Sequence, residues 1–575
     1  MRRTKNCVAA YIALLAFLAP VKFGSILYTG KWASFPLSFF EWLLFPWPAA
    51  LLAVLSGLGL LAVLLAFRVP SFKRNPLLWL LPGCFLILPL GALPGLLDTT
   101  EWERALLFLW NLLTAATLGT AVLILLSNNR RYASLFLAAI VAGTAISVAD
   151  GWHEIKGGGL EQSLEFAEQR AAAEGVEVNP LLRNRLTQGR ASGTFFYPNS
   201  FGGYLILALP VCFAALWHWG GRIDPPGISR ALFLGFAAVT GGLALYWSGS
   251  RAAFVALGGG LVFATLFTRI AWRWRCILIA ALLLAGIAGG IAVNRGRSLA
   301  SLEARWNYWE AAADMAFTNP LTGVGLGEFY PEFSKRLEPG EELAREPHNY
   351  WLLFAAEAGA LGALAATLFM TLPGWFDRVC RPKNSNARDC FVFAARVGLT
   401  AWVLHSLTDM NFHVPGLMAT AAMLPAIALA ARAGKWTQLN PGDEPAGWGA
   451  QTALALLAII TLAGGWRLPG EFAQQKLIAA CSNPETHTSE IAELAATAAA
   501  RLPHSPYPWL ILADAADRRE RPEMVAHACR KTLERTPHRG SVWRRLSAVE
   551  SMLGNDEAAA IAHKNAAEWD GTIQP

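Results

Sequence analysis

Apolar residues run along this chain in blocks of about 20, the length a helix needs to cross the hydrocarbon of a bilayer, and polar residues gather in the gaps between them. The blocks lie near 7–27, 43–67, 77–97, 104–126, 133–149, 197–219, 231–248, 252–268, 275–293, 349–372, 391–408, 415–431 and 449–466. The first follows Met-Arg-Arg-Thr-Lys and has the look of a signal peptide. It is too long for an h-region and no small-residue cleavage site follows, so it is read as a helix. The pattern predicts an all-α protein, a polytopic transmembrane helical bundle of about 12–13 spans.

Composition agrees. The chain has 575 residues, 54% hydrophobic and 15% charged, whereas soluble domains carry about a quarter charged residues. Disordered, collagen-like and disulfide-stapled classes are excluded. The eight Cys are scattered with no C-x-x-C pair. A net charge of +7 suggests nucleic acid until its positions are read. With a cytoplasmic N-terminus, the inner loops hold nineteen Lys and Arg and the short outer loops only Lys22, Lys31, Arg104 and Arg251. That asymmetry orients a membrane protein. Thirteen spans then put the C-terminus outside, together with two long loops, 150–196 and 294–348. Each loop holds an expected amphipathic helix, around 160–174 and 301–318, the second closed by Asn319-Pro320.

After residue 470 the composition turns to Ala, Glu, Arg and His. Pro503 recurs at Pro537, Trp509 at Trp543, Leu512 at Leu546, Glu523 at Glu557 and Ala528 at Ala562, each pair 34 residues apart. This is the tetratricopeptide period and predicts paired helices, with 485–501 as a degenerate third unit. The tail is either a docking surface, for a partner or for the enzyme's acceptor, or a cap that stabilises the outer face. The expected domains are 1–189, N-terminal spans and first outer loop; 190–432, a transmembrane core; 433–469, a linker and last span; and 470–575, a tetratricopeptide-like tail.

Polar groups near the membrane are the candidates for chemistry. His348-Asn349 opens a span, followed after nine residues by Gly359 and Gly362, which would give a smooth packing face. A helix N-terminus disfavours imidazolium, so His348 is expected to be neutral and able to accept a proton; capping is the alternative. Arg190 with Asn199, Arg251 in Trp-Ser-Gly-Ser-Arg, and Arg305 on the second amphipathic helix gather guanidinium forks on one face. Forks fit phosphate oxygens, although each Arg alone reads as a snorkelling side chain. His405, Asp409 and His413, spaced by four, would line one helical face as metal ligands if the helix continued, but Asn411 and Pro415 argue that it frays; Asp409 is read instead as orienting an Arg or a His. Glu357 is expected to face away from His348. Gly323-Val-Gly-Leu-Gly327 lacks the strand and acid of a nucleotide fingerprint and is expected to form a turn returning the loop to the bundle.

In this order, these residues resemble the bacterial O-antigen ligase and O-antigen polymerase superfamily. The resemblance rests on Arg190-Ala-Ser-Gly-Thr-Phe with Pro198-Asn199, Ser248-Gly-Ser-Arg251, and Arg305 before Asn319-Pro-Leu-Thr-Gly-Val-Gly-Leu-Gly327. It continues through His348-Asn349-x9-Gly359-x-x-Gly362 and His405-Ser-Leu-Thr-Asp409, covering about 190–415. The thirteenth span and the tail are departures from the family pattern. The resemblance implies a metal-independent glycosyltransferase without cofactor in the bacterial inner membrane, its site and C-terminus periplasmic. Its donor would be a glycan on undecaprenyl diphosphate and its acceptor a hydroxyl, in ligases on the lipid A core. It assigns Arg251, Arg305 and Arg190 to the diphosphate, His348 to the acceptor hydroxyl as base, and Asp409 to its support. Asn199, Asn349, Gly359 and Gly362 would be supporting residues. A polymerase or protein oligosaccharyltransferase of the same superfamily is one competing reading. A transporter of an anion or lipid-linked sugar is another, although no repeat among the spans favours it.

Overall fold

The computed structural model describes residues 2–571 except 28–37, 72–75, 174–177, 179, most of 267–299, 338–342, 381–389, 432–445 and 484. Its regular elements are helices. In chain order they begin α1 Arg2–Lys22, α2 Phe39–Leu44, α3 Ala49–Ala66, α4 Pro76–Ala92, α5 Trp102–Asn128, α6 Ala133–Lys156 and α7 Gly159–Ala173. There follow α8 Pro180–Thr187, α9 Pro198–Gly220, α10 Pro226–Ser248, α11 Arg251–Leu266, α12 Ala300–Thr318 and α13 Phe329–Ser334. Next come α14 Tyr350–Met370, α15 Leu372–Cys380, α16 Cys390–His405, α17 Pro415–Ala431 and α18 Trp448–Ala463. The tail holds α19 Leu468–Ser482, α20 Thr488–Arg501, α21 Tyr507–Asp517, α22 Pro522–Leu533, α23 Gly540–Met552 and α24 Asp556–Trp569.

Among the described residues, nine stretches are long and apolar enough to cross a membrane, and α11, α16 and α17 are apolar but shorter. Together these coincide with every expected block except 275–293, most of which lies outside the described residues. Helices occupy both stretches expected to be amphipathic, as α7 and α12, but α12 carries apolar residues on its exposed side as well, Trp306 and Phe317 among them, and does not segregate them to one face. The centre of the bundle is α5 against α17 and α16 against α9 and α11. Small residues allow this: a side chain at Gly119 would strike the Ala422 carbonyl, and one at Gly398 the Leu207 carbonyl, so the backbones approach as closely as small-residue interfaces permit.

One span differs from expectation. The block 349–372 is not a straight helix, because Gly359 sits at φ 64°, ψ −150° and reverses the chain. Trp351 Nε1 donates to Thr367 Oγ1 at 2.8 Å, although sixteen residues of straight helix would separate them by about 24 Å. The Phe412 ring contacts both Tyr350, at 4.0 Å between centroids, and Phe369, at 5.1 Å. Residues 350–358 therefore form a half-helix that climbs to Gly359, and the chain descends from 360 along α4 into α15. The crossing is made by 360–380, and its 21 residues reach about 31 Å. Gly359 takes a left-handed conformation that other residues resist. Gly362 is small so that the Phe354 carbonyl can lie against it, which is packing within the hairpin rather than against another helix.

The short α16 and α17 matter for position. At 1.5 Å per residue they reach about 24 and 26 Å, less than the roughly 30 Å hydrocarbon thickness. The connection between them, residues 406–414, is consequently recessed below the ends of α5 and α9. Beyond α18, the tail helices pack in sequence as neighbouring pairs with their own core, including Leu477, Ile491, Leu512, Val525, Leu546 and Ala562. This region sits at the same end of the bundle as loop 319–348: Arg539 binds Glu101, His538 faces Glu328, and the Gly571 amide donates to the Ser334 carbonyl.

Candidate functional site

The recessed connection gathers residues from five distant parts of the chain. His348 arrives on the loop leading into the α14 half-helix, with φ +53°, a left-handed conformation uncommon for a residue with a side chain. Its flanks hold it there. Trp309 Nε1 donates to the Pro347 carbonyl at 3.0 Å, the Asn349 side chain caps the half-helix by accepting from Leu352 N–H, and the Tyr350 amide donates to the Ser406 carbonyl. A strained residue fixed on both sides by its neighbours is a common feature of reactive sites.

The His348 ring lies against Tyr308, 6.1 Å between centroids, and its Nδ1 is buried without a hydrogen-bond partner among the described residues. Burial lowers the imidazole pKa below its usual value; Asp409 opposes this and Arg305 adds to it. Burial rather than the helix terminus is thus the main influence on His348, and it favours the neutral imidazole over the imidazolium. Asp409 is nearly inaccessible, at 3% exposure. One of its oxygens accepts from the Met410 amide at 2.7 Å, while Oδ2 is buried and unpartnered. His348 Nδ1 and Asp409 Oδ2 are thus two buried polar atoms without a partner among the described residues, and their side chains lie within electrostatic reach of each other.

The arginines differ in their relation to this point. Arg305, on α12, acts electrostatically on both His348 and His405. Arg251 begins α11 after a left-handed turn at Gly249. The adjacent Ser250 hydroxyl lies 3.3 Å from His405 Nε2. Neither arginine has a carboxylate partner among the described residues. Arg190 differs: its Nε donates to the Ser248 carbonyl at 2.9 Å and its Nη2 to Asn199 Oδ1 at 2.6 Å. It ties the start of α9 to the turn that presents Arg251. Of these arginines, Arg305 acts directly on the 405–413 connection, whereas Arg251 and Arg190 belong to the turn that brings Ser250 to His405.

The possible metal triad does not assemble. The helix ends at His405, so Asp409 and His413 do not continue its face. His405 Nδ1 pairs with Asn411, while His413 pairs with Tyr350 and Glu346. Among the described residues, no three His, Cys, Asp or Glu side chains converge as metal ligands. Glu357 receives the Phe329 amide at 3.1 Å and secures the glycine turn, whose Gly323, Gly325 and Gly327 all have positive φ. The Val324 and Leu326 amides bind the Ala356 and Gly95 carbonyls, so this turn returns the loop to the bundle as expected.

Beneath His348 lies a network the sequence reading missed. Tyr350 hydroxyl and His413 Nδ1 are 2.5 Å apart, His413 Nε2 is 3.5 Å from Glu346, and Glu346 is 3.5 Å from Arg104. Phe108 stacks on His413 at 4.6 Å. Burial, reinforced by the Glu357 charge, pushes the Glu346 carboxyl well above its usual pKa against the pull of Arg104 and Arg345. Its members lie far apart in sequence. The one available signal was that Glu346 and Tyr350 flank the conspicuous His348.

Residues 236–367 match the family model described as O-antigen ligase. The match includes Arg251, Arg305, His348, Asn349, Gly359 and Gly362, while Arg190, Asn199 and Asp409 lie outside it. No curated protein matches the chain. The protein is a polytopic membrane protein in which residues 236–367 form an O-antigen ligase family domain, consistent with the membrane glycan-transfer activity of that family.

Proposed function

We propose that this protein transfers a glycan from undecaprenyl diphosphate to an acceptor hydroxyl, in the manner of an O-antigen ligase. The observation that supports the assignment of roles is the pair of orphaned atoms, His348 Nδ1 and Asp409 Oδ2, beside arginines without carboxylate partners. Arg251 and Arg305 bind the diphosphate through paired donors, and Arg190, steadied by Asn199, adds charge and holds the Arg251 turn. The acceptor oxygen attacks the anomeric carbon while the bond from that carbon to the diphosphate oxygen breaks. The bonding electrons leave with the diphosphate, and the hydroxyl proton passes to neutral His348, whose positive form Asp409 stabilises. One displacement inverts the anomeric centre. Asn349, Gly359 and Gly362 support the His348 loop by capping and by allowing the hairpin.

The spans lie in a bacterial inner membrane with the N-terminus cytoplasmic and the site and C-terminus periplasmic, a placement supported by the distribution of Lys and Arg. The paired tail helices and the 34-residue spacing support a tetratricopeptide-like unit that docks a protein partner. The acceptor is a hydroxyl of the lipid A core.

The test is transfer by the purified protein, in excess chelator, from a polyprenyl diphosphate glycan to lipid A core. Expected is release of polyprenyl diphosphate with a new glycosidic bond of inverted configuration. Transfer that appears only with a protein acceptor, or chain growth on the donor itself, would replace the ligase reading by glycoprotein formation or polymerisation. Loss of activity restored by a divalent ion would overturn the metal-independent scheme.

A further inference from the structure

At the end of the bundle opposite the His348 site, α1 begins, α5 ends and α6 begins. Between them lies a recess of about 390 Å³ lined by Arg2, Lys5, Asn6, Asn129, Arg131 and Tyr132. The lining is one-sided in its chemistry. Three of the six residues are cations and none is acidic. Arg2 and Arg131 have no carboxylate partner among the described residues, and the Lys5 ammonium lies over the Phe67 ring at 5.5 Å. The amide oxygens are already occupied: Asn6 Oδ1 accepts from the Tyr132 hydroxyl at 2.7 Å, and Asn129 Oδ1 from the Arg131 amide at 3.1 Å. The lining otherwise offers donors: two guanidinium forks, the Lys5 ammonium and two amide NH2 groups. Such a set matches the oxygens of a phosphate.

The surroundings favour a lipid as its source. The recess lies where three membrane helices end, at headgroup depth. On α1, exposed Ala10 and Leu14 continue the Asn6 face at four-residue steps; on α6, which begins just after the short 3-10 turn holding Arg131, Leu135 and Ala138 are exposed in the first two turns. At steps of three or four these positions share one side of each helix. A donor-only recess thus stands above two exposed aliphatic stripes, which is the polarity of one anionic glycerophospholipid. The volume exceeds that of ten waters at roughly 30 Å³ each, enough for a phosphodiester and its polar substituent.

We propose that this recess binds the headgroup of an anionic phospholipid in the leaflet opposite the glycan-transfer site. Phosphate is held by Arg2, Lys5 and Arg131, and the acyl chains follow α1 and α6. The inference does not depend on the reaction the protein performs.

The experiment uses the full-length protein, delipidated in detergent, and measures bound phosphatidylglycerol by native mass spectrometry and its effect on the unfolding temperature. The triple variant Arg2→Gln, Lys5→Gln, Arg131→Gln is expected to bind at least roughly tenfold more weakly, the loss of a charge-assisted contact. A control variant, Arg3→Gln with Arg130→Gln, lowers the charge of the same face outside the recess and should retain the lipid. Arg131→Lys, which keeps the charge, should give a partial loss and guards against an effect of net charge on insertion. Phosphatidylcholine should bind weakly and inorganic phosphate should not raise the unfolding temperature. Equal binding by the triple variant, equal binding of phosphatidylcholine, or loss in the control variant would each overturn the proposal. Protection by inorganic phosphate equal to that by lipid would assign the recess to a soluble anion instead.

Discussion

At the junction between the membrane bundle and its tail, arginines are fully matched; at the candidate site they are not. Arg467 donates to both Glu103 oxygens at 2.6 and 2.7 Å, and Arg539 to both Glu101 oxygens at 3.1 Å. Both pairs are fork to fork and buried, the geometry in which a guanidinium serves the fold. Arg305, within electrostatic reach of His348, and Arg251, next to the Ser250 that faces His405, have no carboxylate partner among the described residues. The residue type is the same in both regions, and the difference lies in who supplies the acceptor oxygens. At the junction it is the protein, and in the proposed reaction it is the diphosphate of the donor. Arg190 lies between the two, bonded within the protein yet adjacent to the Arg251 turn.

This contrast can be broken by substitution. The largest expected effect on chemistry is His348→Ala, which removes proton acceptance and lowers turnover by about 10²–10⁴-fold. Binding of the lipid-linked donor should stay near wild type, since the imidazole serves the acceptor. Single-turnover transfer alongside donor binding reads both. A rate equal to wild type would leave His348 as a residue that only shapes the loop.

Arg539→Gln should act on the fold instead. It leaves the buried Glu101 carboxylate without its guanidinium, at a cost of about 3–5 kcal/mol. Thermal unfolding should come at a clearly lower temperature, while the transfer rate per folded molecule stays within about twofold, well under the tenfold that 1.36 kcal/mol represents. A large rate loss with unchanged stability would make the junction part of the site.

The pH dependence is the subtlest effect. Because burial lowers the pKa of His348, its basic form persists below the usual imidazole value of about 6.5. The acidic limb of kcat/KM should therefore fall below that value. A bound diphosphate adds negative charge beside the ring and favours imidazolium, so the limb of kcat should lie at higher pH than that of kcat/KM. Coincident limbs, or a limb above 6.5 in kcat/KM, would contradict a buried base next to the diphosphate.

Much of this architecture is legible in the sequence. Hydropathy marks the spans because bilayer thickness dictates helix length. The glycines at 323, 325 and 327 announce a turn, and His348 and the three site arginines stand out as polar groups beside apolar runs. The reversal at Gly359 was hidden because hydropathy is continuous through 349–372 and averages over both arms of a hairpin. The register at His405 misled in the opposite direction: a four-residue spacing suggests one helical face only while the helix lasts, and this one stops at its first member. The Tyr350–His413–Glu346–Arg104 network was invisible because packing, not spacing, brings its members together. The partners of Arg467 and Arg539 were equally silent, since each Glu–Arg pair spans several hundred residues.

The claim that unmatched forks hold the donor is tested most directly at Arg251. Arg251→Lys keeps the charge and loses the paired donors, so affinity for a polyprenyl diphosphate glycan should fall by about ten- to a hundredfold, the equivalent of roughly 1.5–3 kcal/mol. The measurement is donor binding to the purified variant together with its unfolding temperature. The account predicts weakened binding with the unfolding temperature unchanged. Wild-type affinity, or a loss of affinity that merely follows a loss of stability, would contradict it.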